Sequence, residues 1–505
     1  MALKRVKWSV FLLPIVILAS LFLFTRLYNL TKLPIFTDEA IYIRWSQIGS
    51  RDANWRFISL TDGKQPMYTW IAMVLLKFIT DPLLAGRLVS VLAGAGSMVA
   101  IYFVATELFG SRRVGFLASA LYLLSPFPLM YDRMALYDSL VTTFSLWSLY
   151  IAVRLAKTPR LDFSLLLGMV LGAGMLNKTS GFISLFLLPL TLFVFDWKEK
   201  QWRKRLMRWL SLVILAAVVS QVIYAVLRLS PFFHMIALKD TVFVWTIGEI
   251  ISDPFRYAVG NLRGLFDWFI GYLSLPMFVV AMTPLLFVRK QTREKFLLYG
   301  WWLVPFVGLA VIGKVLFPRF ILFMAMPILI LAASSIHEIL ERYGKKVIGA
   351  VLLSLIFFPS LWTSFFIVTN PMDAPIPDPD RQQYMDDWPS GGGVPQINAF
   401  FGQELMKGNV SIYTEGTFGL MPYAIELYYV DNPNAKIKGI WPLPVEMPED
   451  MRQDAATHPT YFVLYETQEP PPGWPLTLIA QYQKGRRKDR KLRLYKVMPA
   501  LALAR

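Results

Sequence analysis

Two adjacent carboxylates, Asp38 and Glu39, lie about ten residues beyond the first membrane-length apolar run, in the stretch Phe36-Thr37-Asp38-Glu39-Ala40-Ile41-Tyr42. Ionised side chains at the mouth of a membrane helix carry a solvation cost, so in a chain this apolar the pair points to chemistry at the bilayer surface. Lys178, in Met175-Leu176-Asn177-Lys178-Thr179-Ser180, falls between two apolar runs joined by almost no loop. An unpaired charge is expensive there, so Lys178 either binds an anion or meets a carboxylate such as Asp138 or Asp132.

These residues must be positioned by apolar helices. The chain has 505 residues and is 55% hydrophobic, with a mean hydropathy of +0.47. Apolar runs recur from residue 9 to residue 368, the pattern of an α-helical polytopic membrane protein. There is no cysteine, and the histidines His234, His337 and His458 are far apart, which argues against a zinc site built from these ligands. The net charge of +17 resides largely in short loops between apolar runs, where it orients helices; it does not mark a nucleic-acid surface.

Segments of the ~17 to 25 residues needed to span lie near 9–28, 85–108, 114–131, 135–156, 163–177, 179–195, 209–228, 267–288, 296–313, 317–336 and 346–368, about eleven transmembrane helices. The first is read as retained, with residues 1–7 in the cytoplasm. Basic clusters at 112–113, 154–160, 198–208, 289–295 and 342–346 occupy alternate loops, which the positive-inside rule assigns to the cytoplasm. The outer loops then hold Asp38-Glu39, residues 131–138, Asn177-Lys178, the segment 229–266 and residues 314–319. The segment 66–79 is too short to cross and is read as an interfacial helix with Tyr68 and Trp70 at headgroup depth. The segment 229–266 mixes charged and aromatic residues at helical spacing and is read as lying along the membrane.

The first expected domain is residues 1–368. After residue 368 a Pro- and Asp-rich linker opens the second, a soluble extracytoplasmic segment, 369–505. Its pattern reads as helix 394–407, strand 409–414, helix 420–428 and strands near 436–440, 461–465 and 492–497, a small α/β domain. The basic run 484–491 is read as a solvated hairpin turn, or else a contact to anionic lipid or polymer.

The order of Asp38-Glu39-Ala40-x-Tyr42, Lys64-x-Pro66, Arg133-x4-Asp138 and Phe317-Pro318-Arg319-Phe320 resembles the C-type glycosyltransferases, nearest to the protein O-mannosyltransferase and aminoarabinose-transferase-like members. The resemblance covers roughly residues 9–340 and implies a sugar moved from a polyprenyl-phosphate carrier to a hydroxyl acceptor (protein, lipid or glycan) at the outer face of the cell membrane. It implies Asp38 as general base, with Glu39 positioning the acceptor or supporting the loop; helix capping is the structural alternative for Asp38. Lys64 and Arg319 are the implied phosphate ligands, a guanidinium being able to grip phosphate with two parallel bonds. Gln65 stands where the family tends to carry a proline. Lys178, Arg133, Arg256 and Arg263 are further candidates for the phosphate or donor, with ion pairing or interfacial anchoring as their alternatives. Tyr42 and Asp138 are candidates for the sugar or acceptor pocket, against simple packing and an ion pair around a helix start.

A monophosphate leaving group can be handled by Arg and Lys alone, so no obligatory cofactor is expected, with a divalent metal held by carboxylates as the alternative. Two rival functions remain in view. A transporter or flippase would favour charges at mid-bilayer and repeated halves, neither of which the sequence presents; an inactive relative binding cell-wall polymer is opposed by the intact Asp-Glu pair.

Overall fold

The computed structural model describes residues 8–253, 255–287, 290–344, 346–465 and 468–499; the expected cytoplasmic terminus 1–7, Arg289 and Lys345 lie outside them. In chain order the early helices are α1 (Trp8–Leu27), α2 (Thr37–Arg51), α3 (Met67–Leu75), α4 (Pro82–Phe109), α5 (Arg112–Leu124), α6 (Pro126–Asp132), α7 (Asp138–Lys157) and α8 (Leu161–Asn177). There follow α9 (Phe182–Phe186), α10 (Trp202–Tyr224), α11 (Met235–Phe243), α12 (Ile247–Ser252), α13 (Ala258–Leu273), α14 (Leu275–Phe287), α15 (Thr292–Ile312), α16 (Leu322–Tyr343) and α17 (Val347–Thr369). The chain divides into two compact units: one takes the chain up to Asn29, Phe57–Tyr68 and Leu88–Pro377, the other Leu30–Arg56, Thr69–Arg87 and the residues from Asp378 on.

The first unit is a multi-pass helical bundle. Its centre is α16, buried without interruption from Leu322 to Ile336 and packed against α5, α7, α14, α15 and α17. At the other extreme α10 turns Ile214, Val218 and Val222 outward, apolar positions suited to lipid. Among the described residues six helices are long and apolar enough to cross a membrane alone, or up to eight if each bent pair counts as one span. The stretches Leu12–Leu27, Leu161–Asn177 and Thr179–Val194 are apolar but shorter. The expected run 114–131 bends by 61° between α5 and α6, where Pro126 has no N–H and holds Ser125 extended. The expected span 267–288 is broken by 100° at Ser274, whose φ of +69° ends α13. Hydropathy averages over both breaks, so neither was visible in it.

The short segment after Lys64 forms only the nine-residue α3. Tyr68, expected at headgroup depth, is instead fully buried, its ring 5.1 Å from that of Tyr137. The Trp70 indole donates to the Arg56 carbonyl at 2.7 Å.

The second unit is built on a five-stranded sheet, β1 (Val410–Glu415), β2 (Ala435–Ile440), β3 (Thr460–Leu464), β4 (Leu476–Lys484) and β5 (Arg487–Val497), in the order β2-β1-β3-β5-β4. β1 pairs in parallel with β2 and β3, while β5 runs antiparallel to β3 and β4. All six residues of β1 are buried, as expected of a central parallel strand covered on both faces. Alternation along β3 sends Phe462 into a cluster with Met451, Trp474 and Tyr413, and Tyr461 to the opposite face against Phe400 and Phe401. The run 484–491 forms the end of β4, a tight turn at Gly485-Arg486 and the start of β5, and β4 itself is a strand the sequence pattern did not reveal.

This unit is more than the expected segment 369–505, because α2 is bonded into it. Thr37 N–H donates to the Pro389 carbonyl at 3.0 Å and Gly391 N–H to the Ile35 carbonyl at 2.8 Å. Arg44 pairs with Glu426 at 2.6 Å, and the Gln47 amide donates to the Leu427 carbonyl at 2.9 Å.

Candidate active site

Asp38 is the second residue of α2, where a carboxylate is favoured by the helix dipole. The helix starts at Thr37, and the Glu39 carboxylate serves its end by accepting the Phe36 N–H at 2.9 Å. Glu39 has a second and larger task. It is fully buried with Arg87, whose Nε and Nη2 reach its two carboxylate oxygens at 2.8 Å each. The remaining Arg87 donors hold the carbonyls of Leu30, Leu33 and Pro34 at 2.7, 3.0 and 3.2 Å. The whole 30–36 turn is therefore clamped to α4, and Asp38, half-buried, projects from a frame that cannot easily move. Tyr42, one helical turn after Asp38 and on the same face, is buried with its ring 5.8 Å from Trp45.

The cations of the first unit gather at three chain reversals. Gly63 ends a 3-10 turn with φ +68°, and a Cβ there would come within 2.3 Å of the Met235 carbonyl; only glycine admits this close approach. The turn is pinned by Lys239 to Asp62 at 2.7 Å and presents Lys64, whose N–H donates to the Ser59 carbonyl at 2.9 Å. Next to it the Gln65 amide donates to the Thr179 hydroxyl at 2.8 Å, so Gln65 makes a bond that a proline at this position lacks the donor to make. Lys178 ends α8, pairs with Asp138 at 2.7 Å and sits 4.4 Å from the centre of the Phe320 ring. Arg319, on the 3-10 turn Pro318–Ile321, is buried with its guanidinium 4.9 and 5.9 Å from the rings of Phe317 and Phe320. Burial pushes the nearby Asp240 carboxyl up, partly offset by a bond to Thr179. Lys64, Asp138, Lys178 and Arg319 thus come from four distant stretches into one neighbourhood, linked through Gln65, Thr179 and Phe320.

Arg133 reaches the end of the first helix. It donates to the carbonyls of Thr25, Arg26 and Asn29 at 2.6, 3.2 and 3.0 Å, closing the C-terminal end of α1. Arg256 and Arg263 stand at exposed positions, Arg256 over its neighbour Tyr257 at 5.2 Å. Two buried arginines carry structural weight that sequence reasoning passed over. Arg87 is one; Arg26 is the other, fully buried with Asp132 at 3.4 Å, which also accepts from Tyr122 at 3.1 Å and Ser139 at 3.0 Å. Each lies inside an expected apolar span, and that isolation was the available signal. Among the described residues no group of three or more His, Asp or Glu side chains is arranged to hold a metal ion.

The multi-pass helical bundle is similar in fold to the C-type membrane glycosyltransferases, and the sequence comparisons point the same way. Residues 63–224 match the family described as dolichyl-phosphate-mannose-protein mannosyltransferase. The chain is 25% identical over 352 residues to undecaprenyl phosphate-alpha-4-amino-4-deoxy-L-arabinose arabinosyl transferase 2 of Proteus mirabilis, an alignment that spans 66% of this chain and 61% of that relative. Its fold is similar to that of ArnT from Cupriavidus metallidurans bound to undecaprenyl phosphate, with a TM-score of 0.60 at 15% identity, over 98% of this chain and 99% of that one. It is also similar to the oligosaccharyltransferase of Archaeoglobus fulgidus in the apo form, with a TM-score of 0.53 at 11% identity, over 90% of this chain and 69% of that one. The protein resembles the mannosyltransferase-like and aminoarabinose-transferase-like C-type enzymes.

Proposed function

We propose that the protein is a glycosyltransferase that moves a sugar from a polyprenyl-phosphate donor to a hydroxyl acceptor at the outer face of the cytoplasmic membrane, with inversion at the anomeric carbon. The supporting observation is the gathering of Lys64, Lys178 and Arg319 in a chain whose fold follows, end to end, that of a protein bound to undecaprenyl phosphate. The transporter reading gains no support from that likeness. The topology that accompanies the proposal has eleven crossings, residues 1–7 inside and the segment from 369 outside.

In the proposed reaction the acceptor oxygen attacks the anomeric carbon while its proton passes to the Asp38 carboxylate. The bond from that carbon to the phosphate oxygen breaks, and its electron pair leaves with the polyprenyl phosphate. Arg319 and Lys64 take the charge that builds on the departing phosphate, the kind of preorganised electrostatic stabilisation that contributes most in a water-poor site. Lys178, oriented by Asp138, assists them. Glu39 acts by holding the loop that carries Asp38, and Tyr42 lines the sugar pocket. We assign Arg133 to the end of α1, and Arg256 and Arg263 to the approach of the donor. These cations make a metal unnecessary, so chelator-treated protein should keep its full rate.

The test is sugar release by the purified protein from a panel of polyprenyl-monophosphate sugars, pentosyl and hexosyl, run beside D38N. Release by the wild type with loss of at least ~100-fold in a folded D38N, the scale of a general base, is the expected result. A folded D38N with the wild-type rate would sink the base. R319A and K64A should lower kcat as well as raise the donor KM, because the same cations hold the donor phosphate and take its developing charge.

A further inference from the structure

Within the helical unit, the first helix, the start of α5, the end of α16 and the turn into α17 line an open cavity of about 740 Å³. Its walls divide by chemistry. Pro14, Phe116, Leu117 and Leu340 form an apolar side, while Arg113, His337, Glu341, Arg342 and Lys346 form a polar rim. The one carboxylate there is partly offset: Glu341 meets His337 at 3.4 Å and Arg113 at 4.0 Å. Arg342 and Lys346 add two cations, so apart from His337 the rim holds three positive charges, Arg113, Arg342 and Lys346, against one negative, Glu341. The volume falls in the range of small-molecule and cofactor sites. Three of the wall elements meet at helix ends, α5 and α17 at their first turns and α16 at its last, which is where a headgroup region would be. The residues also fall in the two basic loops, 112–113 and 342–346, that the positive-inside rule assigns to the cytoplasm.

We infer that this cavity is a binding site for a phosphate ester carrying an acyl chain, an anionic glycerophospholipid, with the phosphate at Arg113, Arg342 and Lys346 and the chain along Phe116, Leu117 and Leu340. An amphiphile fits both walls. A soluble phosphate ester would satisfy the rim alone, and a zwitterionic lipid would bring a second cation against Arg342 and Lys346. Basic pockets between membrane helices on the side facing anionic lipid recognise headgroups in this way, each cation adding about fivefold in affinity.

The experiment is native mass spectrometry of the full-length protein titrated separately with phosphatidylglycerol, phosphatidylcholine and soluble glycerol phosphate, in wild type, R342Q/K346Q and the charge-preserving R342K/K346R. Expected is a phosphatidylglycerol adduct that weakens roughly 30-fold in R342Q/K346Q and persists in R342K/K346R. Equal retention of phosphatidylcholine, or binding unchanged in R342Q/K346Q, would overturn the site. Glycerol phosphate binding as tightly as phosphatidylglycerol would overturn its lipid character. Thermal unfolding of the three proteins accompanies the titration, so loss of binding counts only where the variant melts with the wild type.

Discussion

Arg87 and Glu39 show how a buried charge is made tolerable at the residue scale. Each is fully removed from solvent, yet Glu39 receives both guanidinium bonds and a backbone N–H, and Arg87 spends its remaining donors on three carbonyls. Breaking such a pair leaves one charge stranded, at a cost of about 3–5 kcal/mol, whereas replacing both by apolar groups can be close to neutral. R87A should therefore lower thermal stability in detergent sharply and reduce the yield of monodisperse protein. R87M combined with E39L should recover part of it, the shortfall reflecting the carbonyls of Leu30, Leu33 and Pro34 left without donors. Equal stability of R87A and wild type would mean that the clamp contributes nothing to the 30–36 turn.

The helix pair α8 and α10 depends on what is missing from its interface. Gly168 and Gly172 are four residues apart, and a Cβ on Gly168 would lie 2.7 Å from Val219 Cβ and 2.8 Å from the Ala216 carbonyl. Small residues at this spacing let backbones approach in membrane helices. G168L should cost about 1–3 kcal/mol, the penalty of overpacking, read as a fall of the melting temperature in detergent; G168A should cost less. In the sheet unit, the helix Glu449–Thr457 is fastened by Asp454, which accepts from Ser411 at 2.7 Å and Tyr413 at 2.8 Å and pairs with Lys436 at 2.7 Å. Burial, the largest single influence, raises the Asp454 carboxyl, but the bonds from Lys436, Ser411 and Tyr413 outweigh it and hold the group below the usual carboxylate value. A depressed folded value means that the contribution is complete above the unfolded pKa of about 3.9 and disappears as pH falls through the folded one. Thermal unfolding from about pH 6 down to pH 3 should show an acid loss in the wild type that D454N reduces.

At the scale of the whole molecule, the sheet unit is assembled from three stretches of chain, and a boundary drawn at residue 368 would cut it. Thr37, Arg44 and Gln47 find partners at Pro389, Glu426 and Leu427, and Arg51 pairs with Asp431. Protein ending after residue 377 should leave these polar groups of α2 without partners, and should aggregate or elute polydisperse in detergent. The fragment 378–505 alone, lacking α2, should unfold at a lower temperature than the same segment in the full chain. A monodisperse 1–377 that still releases sugar would show the C-terminal segment to be dispensable to the fold and to the proposed chemistry.

Much of this was legible from local signals. Apolar run length marked the helices, and β-branched and aromatic alternation marked four of the five strands, because both patterns repeat over distances shorter than the elements themselves. Lys178 was restricted to an anion or a carboxylate by the cost of a charge between two apolar helices, and Asp138 proved to be its partner. Other features depended on groups far apart in sequence. The pairing of Glu39 with Arg87, and the bonds from Arg133 to the carbonyls at the end of α1, join residues that no local pattern links. Ser274 looked like one residue of a straight span, and residues 30–56 like a loop of the membrane domain. The sequence by itself determined the kinds of groups present and the apolar stretches from which the membrane helices are built, since composition and periodicity carry that information. Which charge meets which, and which segment completes which unit, only the tertiary structure decided, because the partners come from stretches of chain that no local pattern joins.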